Sequence, residues 1–451
     1  MNIFSRLESI VGPKNVSIEQ ADLEKFGLDR TNIYCSNPRV IVFPTSIDQV
    51  QEVIFLANEL EIPIVPSGGR TGLSGGAVAS KSEIVLSMNK MNSILDVNLN
   101  DCTVTVEAGA TTQEVQEVAT KNGLFYPVNF ASVGSSQIGG NVATNAGGVN
   151  VIKYGMTRDW VLGITAVTGS GELLELNKSL IKNNTGYDFR HLFIGSEGTL
   201  GIICKVTLKL TVPPPPSSVF ILGVSKFKDL LEVLKIFQSK LSLQAFEFFS
   251  NHALEKVIDA HGYPKPFETY APFYALIDFD NQDNTSQDDA LKLYSECADK
   301  KLVLDGVMSE SIAQSQNMWK LREDISETLW HYQPYKNDLS VRISKMPKFL
   351  DEVGSFIKKS YPNFEVIWYG HIGDGNLHLN ILKPAALNKS EFKSLCEDIS
   401  MNLGQLVESY DGSISAEHGV GILKRDYLKF TKSTGEISLM AEVKKVFDPK
   451  G

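Results

Sequence analysis

Pro66 to Gly76 reads P-S-G-G-R-T-G-L-S-G-G, five glycines in eleven residues, and constrains this chain more than any other stretch. It follows the apolar run Ile62-Pro63-Ile64-Val65, which reads as a short buried strand. Glycines at a strand end let the backbone turn through positive φ and bring its N–H groups close to a ligand. Successive N–H groups can then converge on an anion such as a phosphate. The pattern is neither G-x-G-x-x-G nor a P-loop. Ile84-Val85-Leu86 reads as a further strand, not the helix that a dinucleotide fingerprint requires. A plain flexible loop is the competing reading of the stretch taken alone.

The surrounding chain repeats this theme. Arg39 to Phe43 reads as a strand, and Ser46-x-x-Gln49 as a capping box opening a helix on Val50, Val53, Ile54 and Ala57. Thr103 to Val106 alternates as a strand, and Thr111-x-x-Glu114 caps a helix that Gly123 ends. A second glycine field, G-S-S-Q-I-G-G-N-V-A-T-N-A-G-G, spans Gly134 to Gly148. A hairpin is expected from Ile164–Val167 and Leu173–Leu176, turning at Gly169-Ser170-Gly171. The third field is G-S-E-G-T-L-G, Gly195 to Gly201, leading into a strand from Ile202 to Leu210. One long ligand touched in three places accounts for all three fields more simply than three unrelated turns.

Composition narrows the classes. A chain of 451 residues holds two to four domains with full cores. Its net charge of −10 argues against a nucleic-acid partner. No apolar run reaches the ~20 residues needed to span a bilayer. Cys35, Cys102, Cys204, Cys297 and Cys396 form no C-x-x-C pair, which points to a reducing compartment, with the cytoplasm as default.

Pro213 to Pro216 cannot continue the preceding strand and marks a domain boundary. Beyond it, Val219–Val224, Ala245–Phe249 and Phe273–Phe279 read as strands. Phe227, Leu230, Leu231 and Leu234 read as the buried stripe of a helix, and Asp283 to Asp289 as a solvated loop. The expected division is 1–212, 213–385 and 386–451, the last a mostly helical region.

Trp368 to Asn380 reads W-Y-G-H-I-G-D-G-N-L-H-L-N. Asp374-Gly375 signals a two-residue type I′ turn, which sets His371 opposite His378 and Tyr369 opposite Asn380. Two imidazoles about 4.5–5.5 Å apart at Cβ can share one metal. Glu417 in S-A-E-H-G-V-G, beside His418, offers a third ligand and completes a catalytic divalent-metal set. A pair of sheet-surface histidines is the alternative. Arg322 and Ser326 lie four apart and share a helix face.

The glycine fields resemble the FAD-binding segments of the vanillyl-alcohol oxidase/p-cresol methylhydroxylase flavoproteins. The resemblance implies an α+β fold, with a two-subdomain FAD-binding domain of the p-cresol methylhydroxylase type and an antiparallel-sheet substrate domain. It implies flavin contacts at Pro66, Ser67, Gly68, Gly69, Arg70, Thr71, Gly72, Ser74 and Gly75 in the first field. In the second it implies Gly139, Gly140, Asn145, Gly147 and Gly148, and in the third Gly198, Gly201 and Ile202. Some members attach the flavin through a histidine in the first loop. Here Arg70 stands near that place and no histidine precedes His191, so non-covalent FAD is expected.

G-H-I-G-D-G-N-L-H and S-A-E-H-G-V-G further resemble the FAD-linked D-2-hydroxy acid dehydrogenases. Carried over by motif, His371, His378 and Glu417 are expected to bind a divalent metal, zinc first, and His418 to be the base. In members acting on D-2-hydroxyglutarate, an Arg, a hydroxyl residue four later and a Lys hold the distal carboxylate. Arg322, Ser326 and Lys336 match that pattern, with Ser in place of the more usual Thr, and Tyr369 and Asn380 are expected substrate contacts. The implied reaction is oxidation to 2-oxoglutarate by hydride transfer to flavin, with D-lactate as the alternative substrate. An electron-transfer flavoprotein or a quinone-linked carrier is the implied acceptor, and a homodimer is left open. Such members continue past D-P-x-G into a short tail, whereas this sequence stops at Gly451, which leaves flavin contacts from such a tail unassigned. A metal-dependent hydrolase would leave the glycine fields idle, and a flavin-binding protein without catalysis would leave the metal set idle.

Overall fold

The computed structural model describes residues 2–31, 33–281 and 284–451. Two compact units divide the chain: Met1–Gly148, Tyr154–Pro213 and Glu417–Gly451 form the first, Val149–Lys153 and Pro214–Ala416 the second. Residues 386–451 thus contribute to both.

In the first unit, Val40–Val42, Ile84–Ser87 and Ile64–Ser67 pair in parallel, with Val16–Ser17 antiparallel at the edge. The parallel arrangement needs a crossover, and the helix Ile47–Leu60 supplies it, burying Val50, Val53, Ile54, Leu56 and Ala57. Ser46 Oγ accepts from Gln49 N–H, but the Gln49 side chain returns to the Thr45 N–H instead of closing the expected box on Ser46. The box at Thr111 and Glu114 is complete. Five antiparallel strands form the second sheet, in the order Ile94–Asn98, Thr103–Glu107, Gly201–Lys209, Val161–Thr168, Leu173–Leu176. Val40, Leu86, Val106 and Val206 belong to one shared core, so the two sheets form a single body. The second glycine field holds a helix, Ile138–Thr144.

A seven-stranded antiparallel sheet organises the second unit, in the order Asp305–Met308, Ser217–Val224, Phe273–Asp280, Leu243–Ser250, Glu365–His371, Asn376–Leu382, Tyr335–Ser340. Helices cover both of its faces. Leu243–Ser250 is buried along its whole length because its side chains alternate between two cores. Phe249 packs with Leu254, Met318 and Leu321 on one face. Phe248 and Phe220 meet Phe227, Phe237 and Tyr294 on the other. The expected loop from Asp283 to Asp289 is a correction too. Asp283 lies outside the described residues, and Asn284 opens a helix to Asp299 whose first turn is polar and whose buried residues, Ala290, Leu293 and Cys297, come later.

Candidate active site

In the first unit the three glycine fields line one cleft, with about 940 Å³ of space open to solvent. Pro66, Ser67, Gly68, Gly69, Arg70, Thr71, Gly72 and Ser74 line it from the first field, Gly139 and Gly140 from the second, and Gly198, Gly201 and Ile202 from the third. Gly75, Asn145, Gly147 and Gly148 do not reach it. Asn145 instead caps the Ile138–Thr144 helix in the left-handed conformation, and its Oδ1 accepts from Arg158 N–H. Gly69 must be glycine for a packing reason, since a Cβ there would lie 2.0 Å from the Ser135 carbonyl oxygen. Arg70 lies over the Phe26 ring at 4.3 Å and donates to the Gly68 carbonyl at 3.0 Å, and burial lowers its pKa.

The cleft fits a long polar cofactor on its own chemistry. Ser67 Oγ and Gln137 Oε1 are buried, line it and have no hydrogen-bond partner among the described residues. Buried polar atoms are rarely left so without a ligand to satisfy them. The sequence reading missed Gln137, although it stands between Ser136 and the glycine pair.

His418 lines the same cleft. Its loop is fixed from two sides. Ser74 Oγ donates to the His418 carbonyl at 2.9 Å, and the Leu423 N–H donates back to the Ser74 carbonyl at 3.0 Å. Glu197 receives the N–H groups of Val420 and Gly421 on its two carboxylate oxygens, at 2.8 and 2.7 Å. Gly421 has φ +49°, and a Cβ there would lie 2.1 Å from the Ser74 carbonyl oxygen, so the loop cannot seat any other residue at that point. Glu417 Oε1 lies 3.8 Å from His418 Nε2.

The second unit carries a polar site on one sheet face. Register places Ser340, Asn376, His371 and Glu247 in one cross-strand row. Asp338, His378 and Tyr369 form the next, and Lys336 and Asn380 the third. The expected register of the hairpin is corrected here. A four-residue loop, Ile372 to Gly375, replaces the two-residue turn, so His371 faces Asn376 and His378 faces Tyr369. Asp374 Oδ1 accepts from Asn376 N–H and shapes that loop, and burial pushes the Asp374 carboxyl up to about 6. The slip is by two residues, which preserves the side of the sheet. Both histidines therefore still share a face, with ring centroids 5.3 Å apart.

Each imidazole has a buried carboxylate at Nδ1. Glu247 Oε1 lies 2.8 Å from His371 Nδ1, and Asp338 Oδ1 lies 3.5 Å from His378 Nδ1. Metal-ligating histidines carry this arrangement, which leaves Nε2 as the coordinating nitrogen. The donor set of this unit therefore fits a divalent cation. Glu417 belongs to the other unit. Glu247 and Asp338 were not anticipated. The one available signal was an acid inside the apolar strand A-F-E-F-F.

The helix Ile312–Glu323 packs on this face and brings Arg322 to it. Arg322 Nη2 pairs with Glu247 Oε2 at 2.7 Å, its guanidinium lies 4.8 Å from the Tyr369 ring centroid, and its buried Nε has no hydrogen-bond partner among the described residues. Burial favours the neutral form of Glu247, but its pairing with His371 and Arg322 outweighs that and holds the carboxyl below its usual range. Burial raises Glu323 next door. Lys336 Nζ donates to Ser326 Oγ at 3.0 Å and lies 4.4 Å from the Trp330 ring centroid. Asn380 Oδ1 is a further buried atom without a hydrogen-bond partner among the described residues.

Comparison with known proteins decides the family. Residues 213–451 match the C-terminal domain of FAD linked oxidases, and residues 38–177 match an FAD binding domain. The chain belongs to the FAD-linked oxidases. It is an FAD-dependent oxidoreductase, in line with the resemblance carried by the glycine fields. A D-2-hydroxyglutarate dehydrogenase of Stutzerimonas stutzeri (strain A1501) is 51% identical over 449 residues, covering 100% of this chain and 97% of that protein. A mitochondrial protein of Schizosaccharomyces pombe named as a D-lactate dehydrogenase is 32% identical, covering 100% and 87%. Among solved structures, p-cresol methylhydroxylase with substrate bound shares the fold at a TM-score of 0.80 and 16% identity, covering 99% of this chain and 94% of that one. Among the described residues of this FAD-linked oxidase, no helix is long and apolar enough to cross a membrane.

Proposed function

We propose that this FAD-linked oxidase oxidises D-2-hydroxyglutarate to 2-oxoglutarate. The observation that carries the reading is the buried Arg322, whose Nε has no hydrogen-bond partner among the described residues, on the sheet face that also holds Asn380 and the Lys336–Ser326 pair. An apolar or short substrate needs no such second anion clamp. The printed name of the 51% identical relative supports the same substrate.

FAD, held along the three glycine fields without a covalent bond, supplies the hydride acceptor. A divalent cation taken by His371, His378 and Glu417, zinc by first choice, supplies Lewis acidity to the substrate hydroxyl. His418 receives the hydroxyl proton on an imidazole nitrogen as the carbon-bound hydrogen leaves. Arg322, Lys336 and Ser326 hold the distal carboxylate, and Tyr369 and Asn380 orient the chain between the two ends. An electron-transfer flavoprotein or a quinone-linked carrier takes the electrons onward. Five dispersed cysteines without a disulfide support a reducing, cytoplasmic setting. The S. pombe relative favours D-lactate as the second reading.

Anaerobic addition of each acid to the yellow protein tests the proposal. D-2-hydroxyglutarate should bleach the flavin fastest. Faster bleaching by D-lactate transfers the assignment to that acid, and a colourless protein removes the oxidase reading altogether. Acid precipitation should leave the yellow cofactor in the supernatant, and colour in the pellet would mean a covalent flavin.

A further inference from the structure

We propose that Glu247 is a positioning residue that serves two functional groups at once, setting the tautomer of His371 with one carboxylate oxygen and the orientation of Arg322 with the other. The inference rests on the metal and substrate roles proposed above for those two residues. Glu247 itself sits at the centre of its strand, is 1% exposed, and reaches no solvent. Its Oε1 meets His371 Nδ1 at 2.8 Å and its Oε2 meets Arg322 Nη2 at 2.7 Å.

The chemistry of this junction demands a carboxylate. Both neighbours present donors: a guanidinium has no acceptor, and an ionised carboxylate is acceptor-only, so the His371 proton must stand on Nδ1. That places the lone pair on Nε2. Glutamine at 247 keeps the shape but brings one acceptor and one donor. If its NH₂ turns to His371, the imidazole must accept there and carry its proton on Nε2, the coordinating nitrogen. If the NH₂ turns to Arg322 instead, donor faces donor and the guanidinium loses its anchor. Neither arrangement serves both groups.

Glu247→Gln is therefore expected to weaken zinc binding by 10- to 100-fold, the usual cost of losing such an outer partner. The measurement is competition between the FAD-loaded protein and a chromophoric chelator, with zinc alone as the probe. FAD content and melting profile matched to the parent show that the fold has survived. An affinity within twofold of the parent overturns the proposal. A parent protein that takes up no divalent ion overturns the metal reading itself, which is a distinct result. Nitrogen chemical shifts of selectively labelled histidines in the unsubstituted protein provide a second readout that needs no variant. His371 should show a protonated Nδ1 and an unprotonated Nε2, and the reverse pattern overturns the proposal.

Discussion

His418→Gln is expected to slow flavin reduction by the substrate about 10²- to 10⁴-fold, the range typical for loss of a positioned general base. The side chain lines the cofactor cleft, while the bonds that fix its loop use backbone atoms: the His418 carbonyl with Ser74, and the Val420 and Gly421 N–H groups with Glu197. Substitution therefore removes the imidazole without unfastening the loop. Cofactor content should stay at the parent level. Anaerobic stopped-flow absorbance checks both quantities in one experiment. Reduction at an unchanged rate would remove His418 from the chemistry.

Arg322→Ala should depress kcat/KM for D-2-hydroxyglutarate by about 30- to several-thousand-fold, corresponding to ~2–5 kcal/mol for a lost charged partner, and leave D-lactate nearly untouched. The two acids share their reacting end, so discrimination has to come from the distal carboxylate. The pairing with Glu247 complicates a bare reading of activity. Removing Arg322 leaves a buried carboxylate short of one partner, and breaking such a pair costs about 3–5 kcal/mol of stability. The ratio of kcat/KM for the two acids, measured on one preparation, cancels any loss of folded enzyme. Lys336→Ala should shift the same ratio less, because an ammonium lacks the guanidinium's fork. Equal losses on both acids would assign Arg322 to the fold or to the common chemistry.

The cleft lined by the three glycine fields was legible because its signal is local: glycine fields at strand ends announce themselves in a few adjacent residues. The helix from Ile138 to Thr144 was not, since I-G-G-N-V-A-T carries two glycines and little helical propensity, and packing overrides that. The histidine pair was recognised through a register that was off by two residues. It survived because strand faces repeat every second residue, so an error of one would have sent His378 to the opposite core. Glu247 shows the limit of such reading. It lies 124 residues from His371, and only the pairing of Leu243–Ser250 with Glu365–His371 brings them together.

The clamp between Glu197 and the His418 loop has a consequence for how this protein wears out. Ser74 and Glu197 belong to the first and third glycine segments, which are the walls of the cofactor cleft. Heat that loosens those walls releases the His418 loop in the same event. Activity and yellow colour should then decay with one time constant during thermal inactivation, so that absorbance alone serves as a gauge of how much working enzyme a stored sample still contains.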